Sequence, residues 1–451
     1  MSKPRIQHSD HFTYPRLLRF VAPSITMMIF TSIYGVVDGF FVSNYVGKTP
    51  FAALNFIMPF IMVLGGTGFM LGTGGSALVA KEMGCGHTER ANRIFTMMIG
   101  FVVVTGLILT ALGVAFIRPI ARLMGASESI MADCVLYGRV TIAFTTAFML
   151  QNVFQSFLVV AERPRVGLLV VVAAGVANMV LDALFIAVFR WGLAGAALAT
   201  ALSQVVSFCI LLTMCNTKAD ALSIRFSHFK PSLRIYGGIC YNGIPSLGRQ
   251  GIASISNILL NNAAGVYGDA AIAAMSIVCR YAMFINSSVI GFGQGFQPVC
   301  GFSYGAGKFG RVREAFWFCV KVVTVILVVL CVISLPFSGQ IIALFRRDDP
   351  QVIEIGTFAL RLQLLTLPLW GYITMCNMFT QAIGYGVRST IISTARQGIF
   401  LIPALLIFPR VFGLLGIQIS QPVADICTLA LCIAMMSGIL RQLKAREANA
   451  G

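Results

Sequence analysis

Two carboxylates and an amide stand inside long apolar stretches of this sequence. Asp38 lies in Tyr34-Gly35-Val36-Val37-Asp38, and Asp182 follows Asn178 by one helical turn on the same face. Ionisable groups are costly inside a bilayer and usually serve a function there. Desolvation and a second nearby negative charge both disfavour an ionised carboxylate. We therefore predict that the pair takes up a proton, or a sodium ion with Asn178 as a neutral oxygen ligand.

The same residues have a plainer interpretation, in which each aspartate only hydrogen-bonds a hydroxyl or amide of a neighbouring helix. A third acid in an apolar stretch, Asp425, has no obvious acidic partner, and this favours a structural role. Arg249 and Arg280 are cations in apolar stretches. For them two alternatives stay open, neutralising Asp425 or lining a cavity.

Large aromatic and methionine side chains could line an apolar and adaptable substrate cavity, although packing is their commoner role in helices. The candidate cavity residues are Tyr34, Arg249, Arg280, Tyr281, Met283, Phe284 and Phe292. Pro23 also lies inside an apolar stretch, where a proline kinks a helix. We interpret Pro23 either as a hinge or as a static kink.

Signatures of enzymes and of nucleotide binding do not fit this sequence. Residues 305–310 match G-x-G-x-x-G, but they separate two apolar helices instead of following a strand. All four His residues lie in polar segments, and the 12 Cys residues form no C-x-x-C pair. We therefore predict no catalytic residues, no enzyme activity, no cofactor other than a coupling ion, and no nucleic-acid or nucleotide partner.

The elements that hold these residues are membrane-spanning helices. Of 451 residues, 57% are hydrophobic and 11% charged, against roughly 25% charged in soluble proteins. Apolar runs of about 20 or more residues can each cross the bilayer as a helix. We predict an all-α polytopic membrane protein with 12 transmembrane helices, near 17–43, 51–80, 94–117, 133–160, 166–189, 193–215, 236–264, 271–300, 314–337, 353–383, 389–409 and 414–440.

The chain contains an internal repeat. A shift of 221 residues aligns Gly84 with Gly305, and the same shift relates the pairs Gly72 and Gly293, Arg90 and Arg311, and Gly195 and Gly416. A repeat of six spans returns to its starting side, so the two halves are parallel, with the substrate path between them. The predicted domains are an N-terminal six-helix lobe (1–215), a linker (216–235) and a C-terminal six-helix lobe (236–451).

Positive charge is distributed unequally between the two sides of the predicted helices. With a cytoplasmic N-terminus, 22 of the 33 Lys and Arg residues fall in inner segments and nine in outer segments, and Arg249 and Arg280 lie within helices. Cytoplasmic segments carry such an excess. We predict that both termini and the linker are cytoplasmic, and that the net charge of +17 mainly reflects topology.

Several motifs in this order resemble the MATE (multidrug and toxic compound extrusion) family over essentially the full chain. They are Ile33-Tyr34-Gly35-Val36-Val37-Asp38, the loops Gly84-Cys85-Gly86 and Gly305-Ala306-Gly307, Asn178-x-x-Leu181-Asp182, Gly192-Leu193-Ala194-Gly195 and Gln294-Gly295-x-Gln297-Pro298. The resemblance implies the MATE fold in a plasma membrane, in bacteria the inner membrane. It implies antiport of cationic or amphipathic small molecules against protons or sodium by alternating access.

Within that family the chain is similar to the DinF-like and MepA-like branch. The resemblance implies a cation site at Asp38, Asn178 and Asp182 in the first lobe, with Pro23 on the same helix as Asp38. The chain departs from the NorM-like pattern, because the region around Arg249 lacks an acid and Asn377 stands where an acid is expected. An alternative is a lipid or glycolipid-precursor flippase of the same superfamily, which usually has fourteen helices and a strongly basic cavity.

Overall fold

The computed structural model describes residues 14–46, 48–124, 126–215, 229–345 and 349–450, and all regular elements within these ranges are helical. The α-helices are α1 (Tyr14–Tyr45), α2 (Lys48–Gly84), α3 (Thr88–Leu123), α4 (Glu128–Ala143), α5 (Thr145–Val160), α6 (Pro164–Asp182), α7 (Gly192–Cys215), α8 (Leu233–Gly265), α9 (Asp269–Gly305), α10 (Phe309–Ser334), α11 (Ser338–Phe345), α12 (Pro350–Ala382), α13 (Gly386–Thr394), α14 (Leu401–Phe412) and α15 (Leu414–Ala450).

The twelve predicted helices correspond to twelve helical segments, three of which contain a break. Helices α4 and α5 form one span bent by 50°. Helix α6 continues as a π-helical turn, Ala183–Val188, and a second π-helical turn, Ala395–Ile399, joins α13 to α14. The short helix α11 is an addition to the predicted set. These breaks leave the prediction of an all-α polytopic membrane protein intact.

Helix α8 differs from the other spans in its composition. Among the described residues, ten helices are long and apolar enough to cross a membrane, and the bent pair makes eleven. Helix α8 has the length but carries buried polar residues, among them Asn242, Ser246 and Ser256. It packs against α2 and α13, so neighbouring helices cover these groups.

The two halves of the chain pack together through the first two helices of each. Helix α1 packs against α9, and α2 packs against α8. Under the repeat α1 corresponds to α8 and α2 to α9, so these are equivalent contacts, as a twofold axis along the membrane normal requires. Each lobe has its own core, around Phe95 and Phe157 in the first lobe and around Phe316, Trp370 and Phe379 in the second.

A pair of glycines lets the two lobes approach closely. A Cβ atom on Gly84 would lie 2.1 Å from the carbonyl oxygen of Phe302, and one on Gly305 would lie 2.1 Å from that of Lys81. Gly84 and Gly305 are equivalent in the repeat. Small residues at helix interfaces permit such backbone contact in membranes. The repeated glycine loops of the sequence therefore mark the place where the lobes meet.

Hydrogen bonds seal the same end of the interface. The side-chain amide of Gln381 in α12 donates to the hydroxyl of Ser246 at 3.1 Å and to the hydroxyl of Thr73 at 3.3 Å. Thr73 belongs to the first lobe and lies 2.9 Å from Ser246 by their hydroxyl oxygens. We call Thr73, Ser246 and Gln381 the inter-lobe seal.

Toward the opposite end, where α1 and α8 finish, the described inter-lobe hydrogen bonds end at one pair of serines. Ser32 in α1 donates a hydrogen bond of 2.9 Å to Ser287 in α9. Among the described residues this is the inter-lobe hydrogen bond farthest from the sealed end. Beyond it on α9, Met283 and Phe284 are 68% and 44% exposed. We infer that the lobes diverge beyond this hydrogen bond, and we call the space between them there the cleft.

Candidate functional site

The first lobe brings the three predicted cation-site residues together. Helix α1 packs along α6, so Asp38 meets Asp182, and Asn178 lies one turn before Asp182 in α6. The three side chains are 7%, 2% and 0% exposed, respectively. The carboxyl groups of Asp38 and Asp182 lie within hydrogen-bonding range of each other. Two carboxylates at this distance repel each other unless a proton or another cation lies between them.

A change of helix type occurs directly after Asp182. Helix α6 is regular up to this residue, and the next six residues, Ala183–Val188, form a π-helical turn. Such turns are rare and occur frequently at functional sites. The sequence contains no proline in this stretch that would have predicted the change.

Three hydroxyl-bearing residues extend the site beyond the predicted set. Tyr137 of α4 is fully buried, interacts electrostatically with both aspartates, and faces Thr141 of α4 and Thr200 of α7. The prediction misses these residues because isolated hydroxyls are common in apolar helices. In addition, the positions of these three residues in the sequence do not reveal that α4 and α7 pack close to α1 and α6.

The site has an imbalance between its buried oxygen atoms and the hydrogen-bond partners that they contact. Among the described residues, seven of its oxygens are buried without a hydrogen-bond partner: Asp38 Oδ1, Tyr137 Oη, Thr141 Oγ1, Asn178 Oδ1, Asp182 Oδ1, Asp182 Oδ2 and Thr200 Oγ1. A buried polar atom without a partner is destabilising. A bound proton or a small hard cation would remove that imbalance, since carboxylate, amide and hydroxyl oxygens all bind such cations.

The third buried acid, Asp425, is fully hydrogen-bonded and does not resemble the first site. Its Oδ1 accepts from Arg396 at 2.8 Å and Gln421 at 3.0 Å, and its Oδ2 accepts from Trp370 at 2.7 Å and Thr366 at 2.9 Å. We call these five residues the Asp425 cluster. Four donors, one of them cationic, satisfy both oxygens of the carboxylate.

The Asp425 cluster decides between two alternatives left open by the sequence and corrects the placement of one arginine. Arg249 and Arg280 do not neutralise Asp425, because Arg396 does. The sequence places Arg396 among the cytoplasmic charges, yet its side chain is buried and its guanidinium lies 3.7 Å from the centre of the Trp370 ring. The π-helical turn Ala395–Ile399 carries it into the lobe. Without Arg396, the predicted inner segments still carry more Lys and Arg residues than the predicted outer segments.

The predicted cavity residues divide into two groups. Arg280, Met283 and Phe284 are exposed on α9 beyond the last inter-lobe hydrogen bond. Arg249 is partly buried between the lobes, where its Nη1 donates to the Asn377 Oδ1 at 3.1 Å. The side chain of Tyr34 lies outside the described residues.

The structure places two of the predicted cavity aromatics among side chains of the second lobe. Phe292 is 2% exposed and belongs to the core of the second lobe. It follows Gly291, which faces α1, and a step of one residue turns a side chain by about 100° around the helix. Tyr281 hydrogen-bonds Ser334 inside the second lobe and lies beside Trp370, away from the cleft.

Comparisons with known proteins agree with this architecture. The model of the family MatE matches the chain twice, over residues 23–184 and 245–406. The multidrug export protein MepA of Staphylococcus saprophyticus is 25% identical over 415 residues, which are 92% of this chain and 91% of that protein. MepA of Staphylococcus haemolyticus is 24% identical over 436 residues, which are 97% of this chain and 96% of that protein.

A solved structure shares the fold. It is a multidrug resistance MATE family transporter of the MOP superfamily in an outward-facing conformation, with a TM-score of 0.90 and 24% identity over 95% of this chain and 96% of that one. The predicted resemblance and the predicted MATE fold are both confirmed. The protein is a membrane transporter and not an enzyme, and the chain belongs to the MatE family.

Proposed function

We propose that this protein is a multidrug exporter that works as a secondary active antiporter. Small amphipathic organic molecules would leave through the cleft in exchange for a proton or a sodium ion bound at Asp38, Asn178 and Asp182. The observation that carries the proposal is the buried carboxyl pair, surrounded by oxygen atoms without partners. The multidrug export named for its MepA relatives supports the substrate class.

The separation of the two sites suggests how exchange takes place. The carboxyl pair lies inside the first lobe, whereas the cleft lies between the lobes. Helix α1 belongs to both places, because it carries Asp38 and also contacts α9 through Ser32. Binding of a cation at Asp38 would change the packing of α1, with Pro23 as the predicted hinge. A ligand shifts such an equilibrium only if it binds one conformation more tightly than the other.

The orientation in the membrane completes the proposal. The sealed end carries the loops after α2 and α9, and seven of the 22 predicted inner Lys and Arg residues lie in or beside these loops. These loops and both termini would then face the cytoplasm of a plasma membrane, and the cleft would open outward. The alternative of a lipid or glycolipid-precursor flippase is not favoured, because the relatives named above are multidrug exporters.

Transport by the purified protein in proteoliposomes tests this proposal. We expect that a gradient of one coupling cation drives dye transport in the direction opposite to the flow of the cation. Collapsing the gradient should stop the transport. A pH gradient and a sodium gradient are applied separately, with ATP absent in both cases. Dye movement that follows neither gradient would contradict antiport, whereas a response to one of them identifies the coupling ion.

A further inference from the structure

The wall of the cleft formed by the second lobe carries positive charge. Arg249 donates from Nη1 to Asn377 Oδ1 at 3.1 Å, and its guanidinium lies 6.0 Å from the centre of the Phe69 ring in the first lobe. Within the part of the chain that the structure describes, the ion pairs involve other residues. Arginine keeps its charge in proteins. Arg249 is therefore a cation held by neutral groups at the lobe interface.

Arg249 lies at the floor of the cleft. Ser246 of the inter-lobe seal precedes it by three residues in α8, and Gln381 follows Asn377 by one turn in α12. The pair Arg249 and Asn377 is thus the next layer beyond the seal toward the open end. A solute that enters the cleft meets this layer before it meets the closed seal.

A second arginine, Arg280, adds positive charge on α9. Gly295, Gly291 and Ser287 face α1 at helical spacing. Phe284 and Arg280 extend the same stripe by three and seven residues, and both are exposed. The same face of α9 therefore contacts the first lobe near the seal and, nearer the start of the helix, presents the Phe284 ring and the Arg280 guanidinium to the cleft.

Nearby acids do not neutralise these arginines. Asp425 is engaged by four donors inside the second lobe. Asp38 and Asp182 are 7% and 0% exposed within the first lobe. The charge accessible to a solute from these groups is consequently positive, and this is opposite to the charge that suits the organic cations implied by the family resemblance.

We propose that Arg249, oriented by Asn377, binds an anionic group of an amphipathic substrate, such as a carboxylate, sulfonate or phosphate. Arg280 attracts the anion on its way in, and the apolar part of the molecule packs against Phe69 and Phe284. Guanidinium groups suit such oxyanions because their planar donors match the acceptor geometry. The proposal deepens the proposed function and rests on it, since it names the chemical class of the exported molecule.

Two dyes with one scaffold and opposite charge test the proposal. Fluorescein is anionic and rhodamine 123 is cationic, and both have a xanthene ring. Binding to the purified protein in neutral-lipid nanodiscs is measured by fluorescence polarisation. We expect wild type to prefer fluorescein and Arg249→Gln to bind it about 10- to 100-fold more weakly, as expected for loss of a charged hydrogen-bonding partner. Arg249→Lys should retain part of the affinity, and rhodamine 123 should bind Arg249→Gln no less tightly than wild type.

The matched control is Arg441→Gln, an exposed arginine in the last part of α15, at the sealed end of the protein. It should leave the binding of both dyes unchanged. An equal loss of both dyes in Arg249→Gln, or no loss of fluorescein, overturns the proposal. Repeating the titration in nanodiscs with an anionic phospholipid identifies the source of the anion. Competition that depends on Arg249 would show that a lipid phosphate occupies the same anion site, and absence of competition would assign the site to free solutes.

Transport separates this inference from the proposed function. Gradient-driven movement of either dye that is independent of Arg249 would support the exporter and contradict the anion site. Charge-selective binding that depends on Arg249, without gradient-driven movement of either dye, would support the anion site and contradict the exporter.

Discussion

Replacing Asp38 by asparagine is expected to reduce gradient-driven export severely and to leave the protein folded. The amide introduced by Asp38→Asn would resemble the neutral, protonated carboxyl in size but cannot exchange a proton with solvent. The difference in substrate affinity between ion-bound and ion-free protein should then disappear. Coupling energies between sites are typically worth about 5- to 150-fold in affinity, and we expect a loss of transport in that range.

The measurement is the initial rate of dye export from cells or proteoliposomes, normalised to the amount of folded transporter. Asp269→Asn is the matched control, because Asp269 is an exposed aspartate at the start of α9. The control should transport as wild type does. Normal export by Asp38→Asn, together with normal export by Asp182→Asn, would remove the carboxyl pair from the mechanism.

A second large effect is expected at Asp425, on stability and not on coupling. Asp425→Asn leaves Arg396 buried without its anionic partner. Breaking a buried ion pair by removing one side typically costs about 3–5 kcal/mol. The variant should therefore unfold at much lower denaturant concentration in mixed micelles. The fraction that remains folded should still transport, because the Asp425 cluster has all its acceptors satisfied and no free carboxylate oxygen.

Two further variants separate the ion pair from simple disruption of packing. The double variant Asp425→Asn with Arg396→Gln should lose less stability than the sum of the single changes, since it leaves no uncompensated charge. Glu128→Gln breaks an exposed pair with Arg122, at 3.4 Å, and should cost only about 0–1 kcal/mol. Wild-type stability of Asp425→Asn would contradict the structural role of the cluster.

The sequence predicts most of the scaffold because the bilayer permits few alternatives. Spanning segments must satisfy their backbone hydrogen bonds internally, so each long apolar run has to be a helix. The constant offset between Gly84 and Gly305 likewise predicts parallel lobes, and in the structure these glycines are the points of closest approach. The bend near Phe144 between α4 and α5 is not readable, because it coincides with no proline or glycine.

The candidate site can be predicted only partly from the sequence, because its residue types differ in how unusual they are inside a membrane helix. Asp38 and Asp182 stand out because a carboxylate in an apolar helix is costly. Tyr137 and Thr200 carry no such signal, since their hydroxyls are tolerated almost anywhere in a membrane helix. The sequence places Arg396 in the cytoplasm because the π-helical turn that draws it inward leaves no mark in the sequence.

The two lobes share a backbone arrangement but use their buried acids differently. In the first lobe, Asp38 and Asp182 face each other with too few donors. In the second lobe, Asp425 has four donors and a cationic partner. An exchangeable cation suits the first arrangement, whereas the second needs none. Under the proposed function, the first lobe therefore carries the coupling site, and the charged cluster of the second lobe stabilises the helices around it.

Cation release on substrate binding tests the coupling site most directly. Purified protein in weakly buffered detergent solution is mixed with a saturating transported dye, and released protons are followed with a pH indicator, while bound radioactive sodium is followed in parallel. The account predicts that wild type releases one of the two cations, and that Asp38→Asn and Asp182→Asn release neither. Release of the same amount by Asp182→Asn as by wild type would contradict it.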